Sequence, residues 1–359
     1  MTFPNPLLFV SVHLGPYRTI KPLAEVWGAG RTRFVLEGPA EAAHHAAGMT
    51  SWNLAGVRGG RGTLERFLHD QGVRALIIGT SENLPEDNIE TLALQTACRI
   101  GLPAFVIEDF PGNYRHRPGY RLDGLFVEDD SMIELHAKQG IGMDRIHCAS
   151  NPRYDTLRGV DRYALRHATR ASLGVRNERV ILWAGQPDEA SSYRAFERLV
   201  PALEGCGAML WFKAHPRDRL YRTGAYEHWV SDAKWIVDVT ADKETTGLCC
   251  AADLVVTQFS SVGVEASYVG TPALYVLFYD LGMAYLQRHK GYPIVPWAAN
   301  RSAFLLKSTD CAQDVLARAL HDDESRTMVL RNFHELYGMR PAGATAIVAH
   351  IQAVLQAIA

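Results

Sequence analysis

The chain has 359 residues, 47% of them apolar and 21% charged, with a formal net charge of -2. That length is more than one hydrophobic core usually sustains, so it predicts two domains of about 150 to 200 residues, and the composition leaves no room for a long disordered tail. The near-neutral charge argues against a protein that wraps nucleic acid or coats an anionic bilayer, while a local basic pocket for a small anionic ligand stays open.

Residues 1–6 bring no cationic segment ahead of the first apolar run, 7–12, which is too short for a signal core or a membrane span. That run reads as a strand ending at His13, ahead of Leu14, Gly15 and Pro16. Further strands are predicted at 33–36, 75–78, 104–107 and 125–127, separated by helical stretches such as 89–100. His44 and His45 are neighbours on a predicted helix and point in different directions, which disfavours a shared metal. The acidic run Glu128, Asp129, Asp130 reads as a helix start, with Ser131 and Glu134 at capping-box spacing. A polar segment at 150–155 closes a first domain, 1–150, and opens a second, 151–359. There a helix is expected at 160–173 and strands at 180–184, 208–213, 234–237, 254–257 and 273–277. The last periodic helix, 344–358, is long enough to pack back onto the first domain. Six cysteines without a C-x-x-C pair predict reduced thiols and a cytoplasmic protein. The expected class is α/β, two doubly wound Rossmann-like domains facing a cleft, with ligands at the carboxyl ends of the strands.

The chemistry should therefore lie just after strands. The predicted strand 254–257 runs through a tight turn into a helix, where Ser260 and Ser261 offer hydroxyls and free backbone N–H groups to a phosphate. Gly263 would permit close backbone approach and Glu265 could accept from ribose hydroxyls; a capping serine is the structural alternative. Earlier in the same domain Lys213, His215 and Arg217 emerge together at a strand end that Pro216 stops. In the first domain Glu108 and Asp109 follow a strand and precede a Pro–Gly turn with Asn113 and Arg115. Asp109 is the first candidate for a general base, or else an organiser of that turn or the ion-pair partner of Arg115. His13 is the other candidate base. The loop with Thr80, Ser81 and Asn83 could hold an acceptor by hydrogen bonds, or be a plain polar loop. No H-E-x-x-H, P-loop or G-x-S-x-G pattern is present.

With those residues in place, the chain resembles the GT-B group of nucleotide-sugar glycosyltransferases. The likeness is to bacterial sialyltransferase and capsule polysaccharide transferase families, which share an acidic pair followed by Gly, a His-Pro and a Ser-Ser. Here these are Glu108 and Asp109, His215 and Pro216, and Ser260 and Ser261, in that order; the sequence departs from the motif at Phe110, where Gly is expected. The resemblance implies Asp109 as base and His215, Ser260 and Ser261 as ligands of the donor phosphate. Asn151, Pro152, Arg153, Tyr154 and Asp155 also look like the interdomain segment of CDP-glycerol transferases.

The function expected is inverting, metal-independent transfer of a sugar from a CMP-, CDP- or UDP-linked donor to a hydroxyl acceptor, a glycan or glycolipid. No cofactor, metal, nucleic acid or membrane span is expected. A nucleotide-sugar 2-epimerase of the same fold and a non-catalytic nucleotide-binding or scaffold protein are the alternatives.

Overall fold

The computed structural model describes residues 6–52, 61–82, 84–85, 87–187, 189–231, 233–241 and 244–358. Residues 1–5 and Asn83 of the loop considered for an acceptor lie outside them. The chain divides into two compact units, the first made of Met1–Asp155 with Arg340–Ala359, the second of Thr156–Met339. The division thus lies between Asp155 and Thr156 in place of a break after residue 150, and the last helix, Gly343–Ala357, is part of the first unit.

In the first unit six parallel strands, β1 (Leu7–Ser11), β2 (Thr32–Leu36), β3 (Ala75–Ile78), β4 (Ala104–Ile107), β5 (Gly124–Val127) and β6 (Ile146–Cys148), lie in the order β2-β1-β3-β4-β5-β6. β1, β3, β4 and β5 are buried along their whole length, as continuous apolar runs covered on both faces should be. Helix Leu14–Trp27 and the last helix pack together over Phe9, Ile77 and Phe105, the latter contributing Ile347, Val348, Ile351 and Leu355 to the core.

In the second unit β7 (Val180–Ala184), β8 (Met209–Lys213), β9 (Ile236–Asp238), β10 (Leu254–Thr257), β11 (Ala273–Leu277) and β12 (Phe304–Lys307) are also parallel, in the order β12-β11-β10-β7-β8-β9. Its core gathers Trp183, Phe196, Phe212 and Tyr226 with the aliphatic face of helix Glu189–Glu204. β6 and β12 are not among the strands predicted above; both are sheet edges of three and four residues.

In each sheet the order reverses once beside the first strand of the unit, between β1 and β3 and between β7 and β10. Connections on either side of such a point leave the sheet in opposite directions and open a crevice at the carboxyl ends. Among the described residues no helix is long and apolar enough to cross a membrane.

Candidate active site

In the first unit β4 ends in the acid pair, and successive residues of an extended strand point to opposite faces. Glu108 turns into the interior: its Oε1 pairs with His136 Nε2 at 3.0 Å and accepts the Tyr114 N–H at 3.0 Å, and both side chains are essentially sealed from solvent. Asp109 turns toward the loops that end β1 and β3. Its Oδ1 accepts the Thr80 hydroxyl at 2.7 Å and the Asn113 amide at 2.8 Å, while its own N–H donates to Thr80 Oγ1. Asn113 reaches back because the chain turns at Pro111 and Gly112: the Asn113 N–H closes on the Phe110 carbonyl at 3.0 Å, and Gly112 takes φ +73°. Asn151 donates to the Asp109 carbonyl from the segment that leaves the unit.

Asp109 Oδ2 faces the first turn of helix Leu14–Trp27, so close that a Cβ on Gly15 would sit 2.8 Å from it. Burial pushes the Asp109 carboxyl up to about 6, against the pull of Thr80, Asn113 and Arg153. A group poised near neutrality is what a general base requires.

His13 is the residue before that helix; its backbone N–H donates to Ser81 Oγ at 2.9 Å. Ser81 Oγ donates in turn to Glu90 Oε1 at 2.6 Å. Thr80 and Asn113 therefore serve Asp109, and Ser81 serves Glu90, while Arg115 is exposed. After β5, Glu128 is buried, neither carboxyl oxygen has a hydrogen-bond partner, and burial pushes the group up to about 8 despite Arg153 and Arg340. The capping-box expectation for Ser131 is corrected here. Ser131 is already the first residue of helix Ser131–Ala137; the N-cap is Asp130, whose side chain makes no cap bond, and Asp129 Oδ1 accepts both the N–H and the hydroxyl of Ser131.

In the second unit the two basic and hydroxyl segments follow β8 and β10, the strands on either side of β7. Lys213 Nζ donates to the Thr240 carbonyl at 3.4 Å, and burial lowers its pKa against the opposing effect of Asp238. His215 Nδ1 accepts the Arg217 N–H at 3.1 Å. Burial and then the Arg217 charge lower the His215 pKa to about 4, so at neutral pH the ring is uncharged and Nε2 keeps the proton. Ser260 Oγ accepts the Val262 N–H at 3.2 Å; Ser261 precedes helix Val262–Tyr268 and makes no side-chain cap bond.

Gly263 is buried, and a Cβ there would lie 2.5 Å from Tyr275 Oη, so it permits a close approach to Tyr275 of β11. Glu265 lies two residues further along the helix; after burial its charge is the next cause holding the Cys249 thiol far up. Gln186 and Gln258, unremarked in the sequence, tie the β7 and β10 ends together through Thr257 and Ser191, and Gln258 Oε1 is buried without a partner.

No protein-family model matches the sequence, and no curated protein does. Solved structures match over nearly the whole chain. HepE from Anabaena, solved with UDP, is 13% identical with a TM-score of 0.68, over 98% of this chain and 100% of its own. MnaA from S. aureus, also solved with UDP, is 12% identical with a TM-score of 0.65, over 98% and 97%. UDP-GlcNAc 2-epimerase from Neisseria meningitidis, bound to UDP-GlcNAc, is 11% identical with a TM-score of 0.64, over 96% and 98%. The fold is that of the GT-B class. At these identities the likeness is one of architecture: two Rossmann-like units, each with its own order reversal.

Proposed function

We propose that the protein transfers a sugar from a nucleotide diphosphate donor to a hydroxyl acceptor, with the donor held by the second unit and the base supplied by the first. The observation that carries this reading is Asp109, a buried carboxyl at a strand's carboxyl end, one oxygen fixed by two donors and its pKa raised to about 6. Asp109 takes the acceptor proton as the oxygen forms its bond to the anomeric carbon, and the bond from that carbon to the diphosphate breaks. The departing charge is met by Lys213, the Nε2–H of His215 and the hydroxyls of Ser260 and Ser261. Arg217 and Glu265 flank that site, and the UDP in the solved neighbours favours a UDP-linked donor. Metal independence and inversion belong to the same proposal.

Transfer needs one base. Of the three buried carboxyls gathered at the ends of β1, β3 and β4, Glu108 is committed to His136 and Tyr114 and Glu90 to Val12 and Ser81, which leaves Asp109 for the work. A 2-epimerase, which must remove and return a proton at the sugar, is the second reading, favoured by the named epimerase among the neighbours. Incubation with UDP-sugars in chelator, with and without a glycan acceptor, separates them. Acceptor-dependent release of UDP supports transfer; a changed sugar without acceptor supports epimerisation; a strict need for a divalent ion removes the metal-free mechanism. A thermal-shift screen over CMP, CDP, UDP, GDP and dTDP checks the donor, since a ligand at 100 times its Kd stabilises the folded state by about 2.7 kcal/mol.

A further inference from the structure

Glu90 sits two residues into helix Ile89–Ile100, whose start Asn88 caps through Thr91 N, and an acid there reads as an ordinary complement to the helix dipole. Its carboxyl does something else. Oε1 accepts the Val12 N–H at 3.1 Å and the Ser81 hydroxyl at 2.6 Å, and Oε2 accepts the Ser81 N–H at 2.8 Å. Ser81 Oγ in turn accepts the His13 N–H at 2.9 Å. Three donors from the ends of β1 and β3 thus terminate on one buried carboxylate. These two strands are adjacent, and the strand order reverses between them.

We propose that Glu90 is a positioning residue: its ionised carboxyl clamps the loops after β1 and β3 in register, and so places His13 and the Thr80 hydroxyl that fixes Asp109. This rests on the reading of the first unit as the half that supplies the base. A carboxylate accepts all three bonds, whereas a protonated acid turns one oxygen into a donor facing a group that is itself donating, and a bond is lost. Burial pushes Glu90 up to about 7 against the three bonds, with the Asp109 charge adding to the rise. Asp109 is the charged group facing it from the β4 loop, and His13 and Glu82 are the titratable residues beside the bonded groups on the clamped loops. The three bonds pull the carboxyl down against its burial, so where the loops open while Glu90 stays packed inside, ionisation favours the bonded arrangement and the clamp tightens as the pH rises through neutrality; unfolding, which frees the carboxyl to water, is favoured by that same ionisation.

Hydrogen exchange read by mass spectrometry on the full chain tests this at pH 6 and pH 8, for wild type, Glu90→Gln and Glu90→Asp, with rates corrected for the intrinsic effect of pH. Peptides covering residues 12–13 and 81–82 should gain protection at least about fivefold from pH 6 to pH 8 in wild type, since local opening reports local stability. Glu90→Gln should lack the gain while β1 and β3 stay protected, and Glu90→Asp should restore part of it. The carboxyl NMR titration of Asp109 should move to lower pH in Glu90→Gln, a change that an acid serving only to fill space would not produce. Protection that ignores pH in wild type, or that survives in Glu90→Gln, overturns the clamp. If the pH-dependent protection is lost in Glu90→Gln but wild type transfers no sugar, the clamp is upheld and the catalytic reading of the unit is what fails.

Discussion

Asp109 Oδ1 is committed to Thr80 and Asn113, and the buried carboxyl gives up its proton only near pH 6. A base must be ionised, so kcat/KM should rise with pH and level off above that value. Asp109→Asn should lower kcat by roughly 10²- to 10⁴-fold with nucleotide affinity retained. Gly15→Ala, which puts a methyl 2.8 Å from Oδ2, should also lower kcat and not nucleotide affinity. His215 works without charge: its low pKa, about 4, means that its contribution to nucleotide binding should be flat between pH 6 and 8. Calorimetry on His215→Ala should show a loss of about 1 to 3 kcal/mol, the range for a hydrogen bond to a charged group, and an unchanged affinity would refute its placement. The acid pair, the His-Pro and the Ser-Ser are visible as residue types at strand ends. What they touch is not: Thr80 is 29 residues from Asp109, His136 is 28 from Glu108, and Glu90 is 78 from Val12. Such partners belong to the sheet order, which no local pattern encodes.

The strands read best from sequence are the central ones, where burial on both faces leaves an unbroken apolar run. β6 is Ile146, His147 and Cys148, and β12 ends in an exposed Lys307; edge strands are kept short and half-polar, which erases the run. The end of the chain shows a similar dependence on distant partners. Asp155 accepts the Gly343 and Ala344 N–H groups at 2.8 Å each, capping the last helix from the segment where the chain leaves the first unit. Asp155→Ala should cost about 1 to 2 kcal/mol in chemical denaturation of that unit, the range of a lost N-cap. Gly343→Ala should cost about 1 to 3 kcal/mol, because a Cβ would collide with the Ser150 carbonyl oxygen and force the backbone aside.

Across the molecule, the two-unit α/β plan follows from length and from apolar runs alternating with helical stretches. The reversal points, beside which ligand binding is proposed, do not, because they depend on which strands pair. The first unit also holds three carboxyls pushed up by burial, Asp109 to about 6, Glu90 to about 7 and Glu128 to about 8, from ordinary values of 3.8, 4.5 and 4.5. The fold favours their neutral forms, so this stabilisation is complete below about pH 4 and is lost as the pH rises through those values. The melting temperature of the unit should fall from pH 5 to pH 8, and Glu128→Gln should flatten the decline, by an amount worth at least about 3 °C at pH 8. The last helix has a further consequence, for the order in which the protein is made. Its four aliphatic side chains complete a core begun by β1, so the first unit to be synthesised is the last able to close. A released chain ending at Met339 should carry a protease-resistant second unit and a still-cleavable first one, and the chain extended through residue 359 should have both protected.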